Sequence, residues 1–266
     1  MSHHEVQQKH LEILVRNGGF QFTDSFFPYT SGQIGPYYVQ SAVVMNNGND
    51  YAAAVKDMAD LVSETISPQS EKQWILSGGE TRDWIFSLPV AFALQLPHLM
   101  IYKDGKILGP DIKDQNIAHV ADLNNEGSSP RDKWIPAIRS AGGNIKDIFF
   151  YVDRLEDGVN VMKELELQSH SLVPLDANAW QYLKQQEVIN HEIYQNLMRR
   201  MNDKESWATQ MLRSEKGFET FVRLLDKSKD KAMKILEHGY PNMEQEITAR
   251  VKAQANDVYR KQIRNV

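Results

Sequence analysis

Ile117-Ala118-His119-Val120-Ala121-Asp122-Leu123-Asn124-Asn125-Glu126-Gly127-Ser128-Ser129-Pro130 is a mostly apolar run that ends in a polar, Gly-containing segment and opens into a helical pattern. The apolar half suits a strand buried on both faces, as in a parallel sheet. A strand that delivers a carboxylate, followed by a loop feeding a helix N-terminus, fits a phosphorylated ribose. The helix dipole and the unpaired N–H groups of the first turn both favour the anion. The following helix is marked at both ends. Ser129 is the N-cap candidate, Pro130 takes the first helical position, Asp132 lies near the positive end, and Gly142-Gly143 mark the stop.

Working outward, short apolar runs alternate with helical patterns from Gln73 to Val152: Trp74-Ile75-Leu76, Trp84 to Leu96, Leu99-Met100-Ile101-Tyr102, Ile117 to Val120, Pro130 to Ala141, and Ile148 to Val152. This alternation predicts βαβ units and an α/β fold with a central, mainly parallel sheet flanked by helices. Upstream, a short helix is predicted from His4 to Arg16, stopped by Gly18-Gly19. A turn-rich segment then feeds a strand at Tyr37-Tyr38-Val39. Another helix runs from about Asp50 to Ile66, with Val55, Met58, Ala59 and Val62 at helical spacing and Ser67-Pro68 as its stop. Beyond Leu175 strand-like runs cease, and the chain becomes rich in Lys, Glu, Gln, Leu and Met. The expected division is therefore an α/β domain over 1–178 and an all-helical C-terminal extension over 179–266. Breaks near Asn202-Asp203 and at Gly239-Tyr240-Pro241 give the extension about three helices.

Composition narrows the function. The chain has 266 residues, 41% hydrophobic and 24% charged, as in ordinary globular proteins. No apolar run approaches the roughly 20 residues that span a bilayer, and the first residues lack an apolar signal core. A soluble, cytoplasmic protein with no membrane partner is expected. The absence of Cys excludes disulfides, thiolate metal sites and a cysteine nucleophile. A net charge of -5 argues against nucleic acid as partner. The eight His residues lack the paired spacing that zinc needs, so no protein-held metal is expected.

Five segments stand in chain order: Ser31-Gly32-Gln33-Ile34-Gly35-Pro36-Tyr37-Tyr38; Ser77-Gly78-Gly79-Glu80-Thr81-Arg82-Asp83; Tyr102-Lys103-Asp104-Gly105-Lys106-Ile107-Leu108-Gly109; the opening stretch; and Tyr151-Val152-Asp153-Arg154-Leu155-Glu156. Together they resemble orotate phosphoribosyltransferase, a type I phosphoribosyltransferase. The resemblance covers roughly Gly18 to Trp180. It implies a type I phosphoribosyltransferase-like fold and transfer of a phosphoribosyl group from phosphoribosyl diphosphate to orotate or a similar acid, in pyrimidine nucleotide synthesis. Mg2+ is then carried by the diphosphate, and a homodimer is implied.

Matched residue by residue, the resemblance gives Tyr37 and Tyr38 to the pyrimidine and Gly78, Gly79 and Arg82 to the diphosphate. Lys103 and Lys106 fall to a mobile loop that neutralises the departing pyrophosphate, Asp122 to the ribose, Asn125, Gly127, Ser128 and Ser129 to the 5′-phosphate, and Arg154 to the orotate carboxylate. Each segment also has a plainer reading. The tyrosines suit a hairpin core, Gly78-Gly79 a tight turn, Lys103 to Lys106 a solvated turn, and Arg154 a strand-end ion pair with Asp153 or Glu156. The chain departs from the pattern at contact positions. Ala121 stands for the first of two adjacent acids, Glu126 enters the phosphate loop, Leu108 replaces a His, Tyr102 and Thr30 replace basic residues, and Arg82-Asp83 replace two glycines. These departures keep a second class open, a fold relative that binds a nucleotide or phosphorylated ligand without transferring anything.

Overall fold

The computed structural model describes residues 2–66 and 73–264, with side chains through 254. The stop expected at Ser67-Pro68 lies outside the described residues. The elements are α1 (His3–Arg16), β1 (Phe20–Pro28), β2 (Ile34–Val39), α2 (Gly48–Thr65), β3 (Trp74–Gly79), α3 (Trp84–Ala93), β4 (His98–Ile101), β5 (Ile107–Leu108), β6 (Asn116–Asn124), α4 (Ile135–Ser140), β7 (Asn144–Asp153), α5 (Asp157–Glu164), β8 (Gln168–Pro174), α6 (Ala177–Gln185), α7 (His191–Asn202), α8 (Lys204–Arg213), α9 (Glu215–Lys227), α10 (Lys229–Lys234) and α11 (Glu244–Arg264). They form two compact units: residues 1–19 with 40–183, and residues 20–39 with 184–266. The expected boundary at 178/179 falls inside α6, and the segment 20–39 groups with the C-terminal helices instead of with the α/β unit.

The first unit holds a six-stranded sheet of order β5-β4-β3-β6-β7-β8, parallel throughout except for the antiparallel β4–β5 pair. On one face Ile75, Ile117, Ala121, Ile148 and Phe150 pack against Trp134, Ile135 and Ile138 around α4 and against Val161 and Met162 of α5. On the other, Tyr151 stacks on Phe86 of α3 at 4.7 Å and meets His10 of α1 edge-on at 5.4 Å. Both faces are thus covered, and β6 is buried along most of its length, which explains its apolar run.

Local signals account for the helix ends. Ser2 and Glu5 form a capping box on α1, and the Asn47 side chain caps α2 through the N–H groups of Asn49 and Asp50. Ser129 is a correction. Its backbone is already helical and it makes no capping bond, because a π-helical turn over Pro130–Trp134 precedes α4 and Arg131 N–H donates back to the Gly127 carbonyl at 3.0 Å.

A buried ion cluster ties α1 to α2. Asp57 accepts from Lys9 Nζ at 2.6 Å and lies 2.9 Å from His10 Nε2. Burial opposes its charge, but the bonds from His10 and Lys9 outweigh burial and bring its pKa down to about 2. A depressed carboxylate stabilises the fold above its unfolded value and loses that contribution as pH falls through the folded one. Wild-type stability should accordingly drop by roughly 1–2 kcal/mol between about pH 4 and pH 2 through this group. Asp57→Asn should lack that component; parallel wild-type and variant denaturation curves across this range would refute it.

The second unit is built on the β1–β2 hairpin. Phe26 and Ile34 join Trp207, Met211, Leu212, Phe218, Phe221 and Ile235 in one core. Five helices follow α6 among the described residues, where about three are expected. The Asp203 side chain caps α8 at the break expected there; Ser214 caps α9 and Ser228 precedes α10, and these two breaks need neither Gly nor Pro and leave little compositional trace.

Candidate functional site

Because β4, β3, β6 and β7 are parallel neighbours, their carboxyl ends share one edge of the sheet. That edge carries most of the sequence-predicted residues: the Tyr102–Lys106 turn after β4, Gly78 and Gly79 at the end of β3, Asp122 and the Asn125–Ser129 loop with β6, and Arg154 after β7. Ligands of open α/β sheets bind outside such an edge.

Asp122 is buried, 8% exposed, and accepts a hydrogen bond from Ser41 Oγ at 2.8 Å. Asp83, 7% exposed, fastens the site. One of its oxygens accepts from the Asp122 N–H at 3.2 Å, the other from the Gly79 N–H at 3.0 Å, and His119 Nε2 lies 3.4 Å from the latter. Burial first, and the like charge of Asp83 second, push the Asp122 carboxyl well above the usual carboxylate range, while Ser41 and Arg82 counteract in part. Beneath the pair, His119 Nδ1 lies 2.9 Å from Ser77 Oγ. Two carboxyl groups therefore meet at this edge, built from β3–α3 and β6 instead of from adjacent positions 121 and 122. Ala121 is buried and packs into the core with Trp134.

The glycines at the end of β3 are filled by the chain itself. A Cβ on Gly78 would lie 2.1 Å from Ser87 Oγ, and one on Gly79 would lie 2.2 Å from Trp134 Cε2. Both glycines are ladder residues of β3, paired with Met100 and Ile101, so the tight-turn reading is corrected: they make room for a hydroxyl and an indole beside the strand. Arg82 is exposed. The neighbouring acids are held by backbone N–H groups: Asp83 by those of Gly79 and Asp122, and Glu80 by that of Lys103 at 3.0 Å.

The segment that the resemblance makes a mobile loop is a closed turn between β4 and β5. Tyr102 N–H donates to the Lys106 carbonyl at 2.9 Å, and Asp104 accepts from the Lys106 N–H at 3.0 Å. Lys103 and Lys106 are exposed. Lys106 Nζ lies 5.9 Å from the centre of the Tyr102 ring, and Lys103 borders an open cavity of about 530 Å³ with Lys133, Pro136 and Ala137. Leu108 is exposed on edge strand β5.

In the loop after β6 Gly127 adopts φ +67°, and a Cβ there would lie 2.8 Å from Val161, so position and packing both require Gly. Ser128 and Ser129 are exposed and Asn125 is half-buried, with its carbonyl accepting from the Gly158 N–H at 3.0 Å. Glu126 does not point outward. Its Oε1 is buried and has no hydrogen-bond partner among the described residues. Arg154 is buried and donates to Glu156 Oε1 at 2.8 Å, so the strand-end ion pair is formed. Tyr37 and Tyr38 belong to the second unit. They alternate along β2, leaving Tyr37 2% exposed and Tyr38 41% exposed, so the pair does not share one face.

The sequence matches no family model and no curated protein. Solved structures do match. Leishmania donovani UMP synthase superposes with a TM-score of 0.64 at 16% identity, over 76% of this chain and 42% of its own. This chain thus spans less than half of that protein. Orotate phosphoribosyltransferases from Francisella tularensis (TM-score 0.59, 16% identity, 73% of this chain and 97% of theirs) and Aeropyrum pernix (0.56, 18%, 66% and 98%) match nearly whole.

The fold is that of a type I phosphoribosyltransferase. Within this phosphoribosyltransferase fold, the expectations for sheet, flanking helices and resemblance to the orotate enzymes hold. Sequence reasoning missed Asp83, Trp134, His119 and Ser41. Asp83 had a visible signal, an acid beginning a helix straight after a strand. Trp134 and Ser41 act across the fold and had none.

Proposed function

We propose that this chain is a phosphoribosyltransferase of the orotate type, which takes phosphoribosyl diphosphate and a carboxylate-bearing base as its small-molecule substrates. The observation that carries this reading is Asp122, held by Ser41 at the carboxyl edge of the sheet and followed directly by the Gly127 loop into a helix. The phosphoribosyltransferase fold of the solved relatives supports it. In this reading Asp122 orients a ribose hydroxyl while positive charge develops at the anomeric carbon. Asn125 to Ser129 receive the 5′-phosphate on the helix N-terminus. Arg82, exposed and beside Asp122, neutralises the diphosphate in place of a Gly-Gly cradle, and Lys103 and Lys106 lend the turn after β4 its positive charge. Arg154 meets the acid of the base by exchanging its bond with Glu156. Among the described residues no three His, Asp or Glu side chains gather as a metal site, and Mg2+ enters with the diphosphate that it rides on. The same reading makes the protein a homodimer, which its molar mass in solution tests.

A second reading is favoured by two observations. Glu126 sets an unpartnered buried oxygen in the phosphate loop, and Trp134 occupies the space over Gly79. A site so altered suits a ligand that brings an N–H or O–H donor, bound without group transfer.

Calorimetric titration with phosphoribosyl diphosphate and Mg2+, followed by addition of orotate with its absorbance monitored, separates the readings. Saturable binding with loss of orotate absorbance is expected. Binding without turnover supports the second reading, and no binding of either compound eliminates the transferase.

A further inference from the structure

Along the outer side of α4 lies the open cavity of about 530 Å³, and neither Asp122, Arg82 nor the Asn125–Ser129 loop lines it. Its size is that of a small-molecule site. One wall is the β4–β5 turn, and the other is the helical stretch from Asp132 to Ala141. The turn is held in shape by its own bonds. Gly105 N–H donates to the Tyr102 carbonyl at 2.9 Å, and Lys103 N–H is fixed on Glu80 Oε2 at 3.0 Å. The helical wall begins in the π turn, where the Ile135 N–H reaches back to the Pro130 carbonyl. Turns of this kind recur at functional sites. Trp134, Ile135 and Ile138 pack into the core, which leaves Lys133, Pro136, Ala137 and Ser140 along the cavity.

Lys103 stands on one wall and Lys133 on the other, and neither forms an ion pair among the described residues. The two acids of the lining are already committed. Asp132 Oδ1 accepts from Arg131 Nε at 2.8 Å, and Asp104 Oδ1 accepts from the Lys106 N–H at 3.0 Å. With Asp132 neutralised by Arg131, two ammonium groups face one carboxylate. An ammonium is a point charge that suits a tetrahedral phosphate, whereas a planar carboxylate is matched best by the fork of an Arg. Beside Lys133, Pro136 and Ala137 add apolar surface and Ser140 a hydroxyl. The lining therefore fits a doubly charged anion carried on an apolar body.

We propose that this cavity is a second binding site, for a small phosphomonoester whose phosphate sits between Lys103 and Lys133 and whose apolar body lies along Pro136 and Ala137. The site is independent of the function proposed above, since it asks for no ribose, no diphosphate and no group transfer.

Phenyl phosphate is the probe, an apolar ring whose phosphate is a dianion at pH 8. Titrated into the full-length, nitrogen-15-labelled protein, it should shift the amide signals of residues 103–105 and 132–141 along saturable curves, and phenol should not. Lys133→Glu should weaken binding about tenfold or more. Ser140→Trp, which fills the cavity from an exposed helix position without changing the charge, should do the same. Lys163→Glu, at an exposed lysine of α5 outside the cavity, should stay within about twofold of wild type. Shifts that never saturate overturn the site, and so does phenol moving the same amides equally. An equal loss in Lys163→Glu reduces binding to general charge attraction, and shifts centred on residues 122–129 move the anion to the sheet edge; either result overturns the proposal. Melting curves show that each variant folds, and where Ser140→Trp does not, Lys133→Glu set against Lys163→Glu still decides.

Discussion

Trp134→Ala should lower the stability of the α/β unit by about 3–5 kcal/mol, seen as a fall in Tm of roughly 6–20 °C. The indole is 4% exposed, sits in the core with Ile75, Ile117 and Phe150, and lies where a Cβ of Gly79 would stand. Removing it empties a cavity that a backbone strand cannot collapse to fill. The vacated space borders the end of β3, so inorganic pyrophosphate gives the same variant a second readout. Tighter binding than wild type would mean that Gly78-Gly79 is a diphosphate cradle closed by its own side chain. An unchanged affinity would place the diphosphate on Arg82 and the Gly127 loop. A melting curve that overlays the wild type would contradict the packing argument itself.

Asp122→Asn should separate stability from binding. In the folded chain its carboxyl is raised by burial and by Asp83, so the native state holds this proton to higher pH than the unfolded state does. The sign follows: the proton's contribution is full at low pH and is lost as pH rises from the unfolded carboxylate value through the raised one. The variant, which never ionises, should therefore equal wild type in acid and exceed it at neutral and alkaline pH. Binding runs the other way. One charge-assisted hydrogen bond to a ribose hydroxyl is worth about 1.5–3 kcal/mol, so affinity for phosphoribosyl diphosphate should fall about 10- to 150-fold. A gain in stability together with a loss of affinity marks a group kept for binding at the expense of the fold. A variant that loses stability at pH 8 would show that Asp122 is a structural anchor for Ser41.

The sheet was legible because each of its central strands is an apolar run bounded by turn residues, and each intervening helix carries its own spacing. The Gly127 loop was legible for a similar local reason: its signals lie within a few positions of one another. What escaped is non-local. Asp83 and Asp122 meet because β3 and β6 are neighbours, a pairing that neither stretch encodes alone. The same holds for Ser87 and Trp134 filling the space beside the β3 glycines, since a Gly-Gly pair reads alike whether a ligand or a side chain occupies the space. The division of the chain misled in another way. Residues 20–39 adjoin the α/β unit in sequence, yet Phe26 and Ile34 find their apolar partners in helices that begin far downstream. The closed turn at Tyr102–Lys106 was available as the plainer reading, and short-range bonds from Asp104 and Tyr102 decide for it.

That grouping of the hairpin with distant helices bears on the birth of the chain. A ribosome adds about 5–20 residues per second, so Phe26 and Ile34 emerge roughly 10–40 seconds before the last of the core residues that will cover them, Ile247. During that interval the hairpin is a pair of strands without a core, and two-stranded hairpins are marginal in water by themselves. Chains released early, or stalled within the final helices, would thus display this sticky turn to chaperones and proteases, although the same chain already carries every residue of its α/β unit.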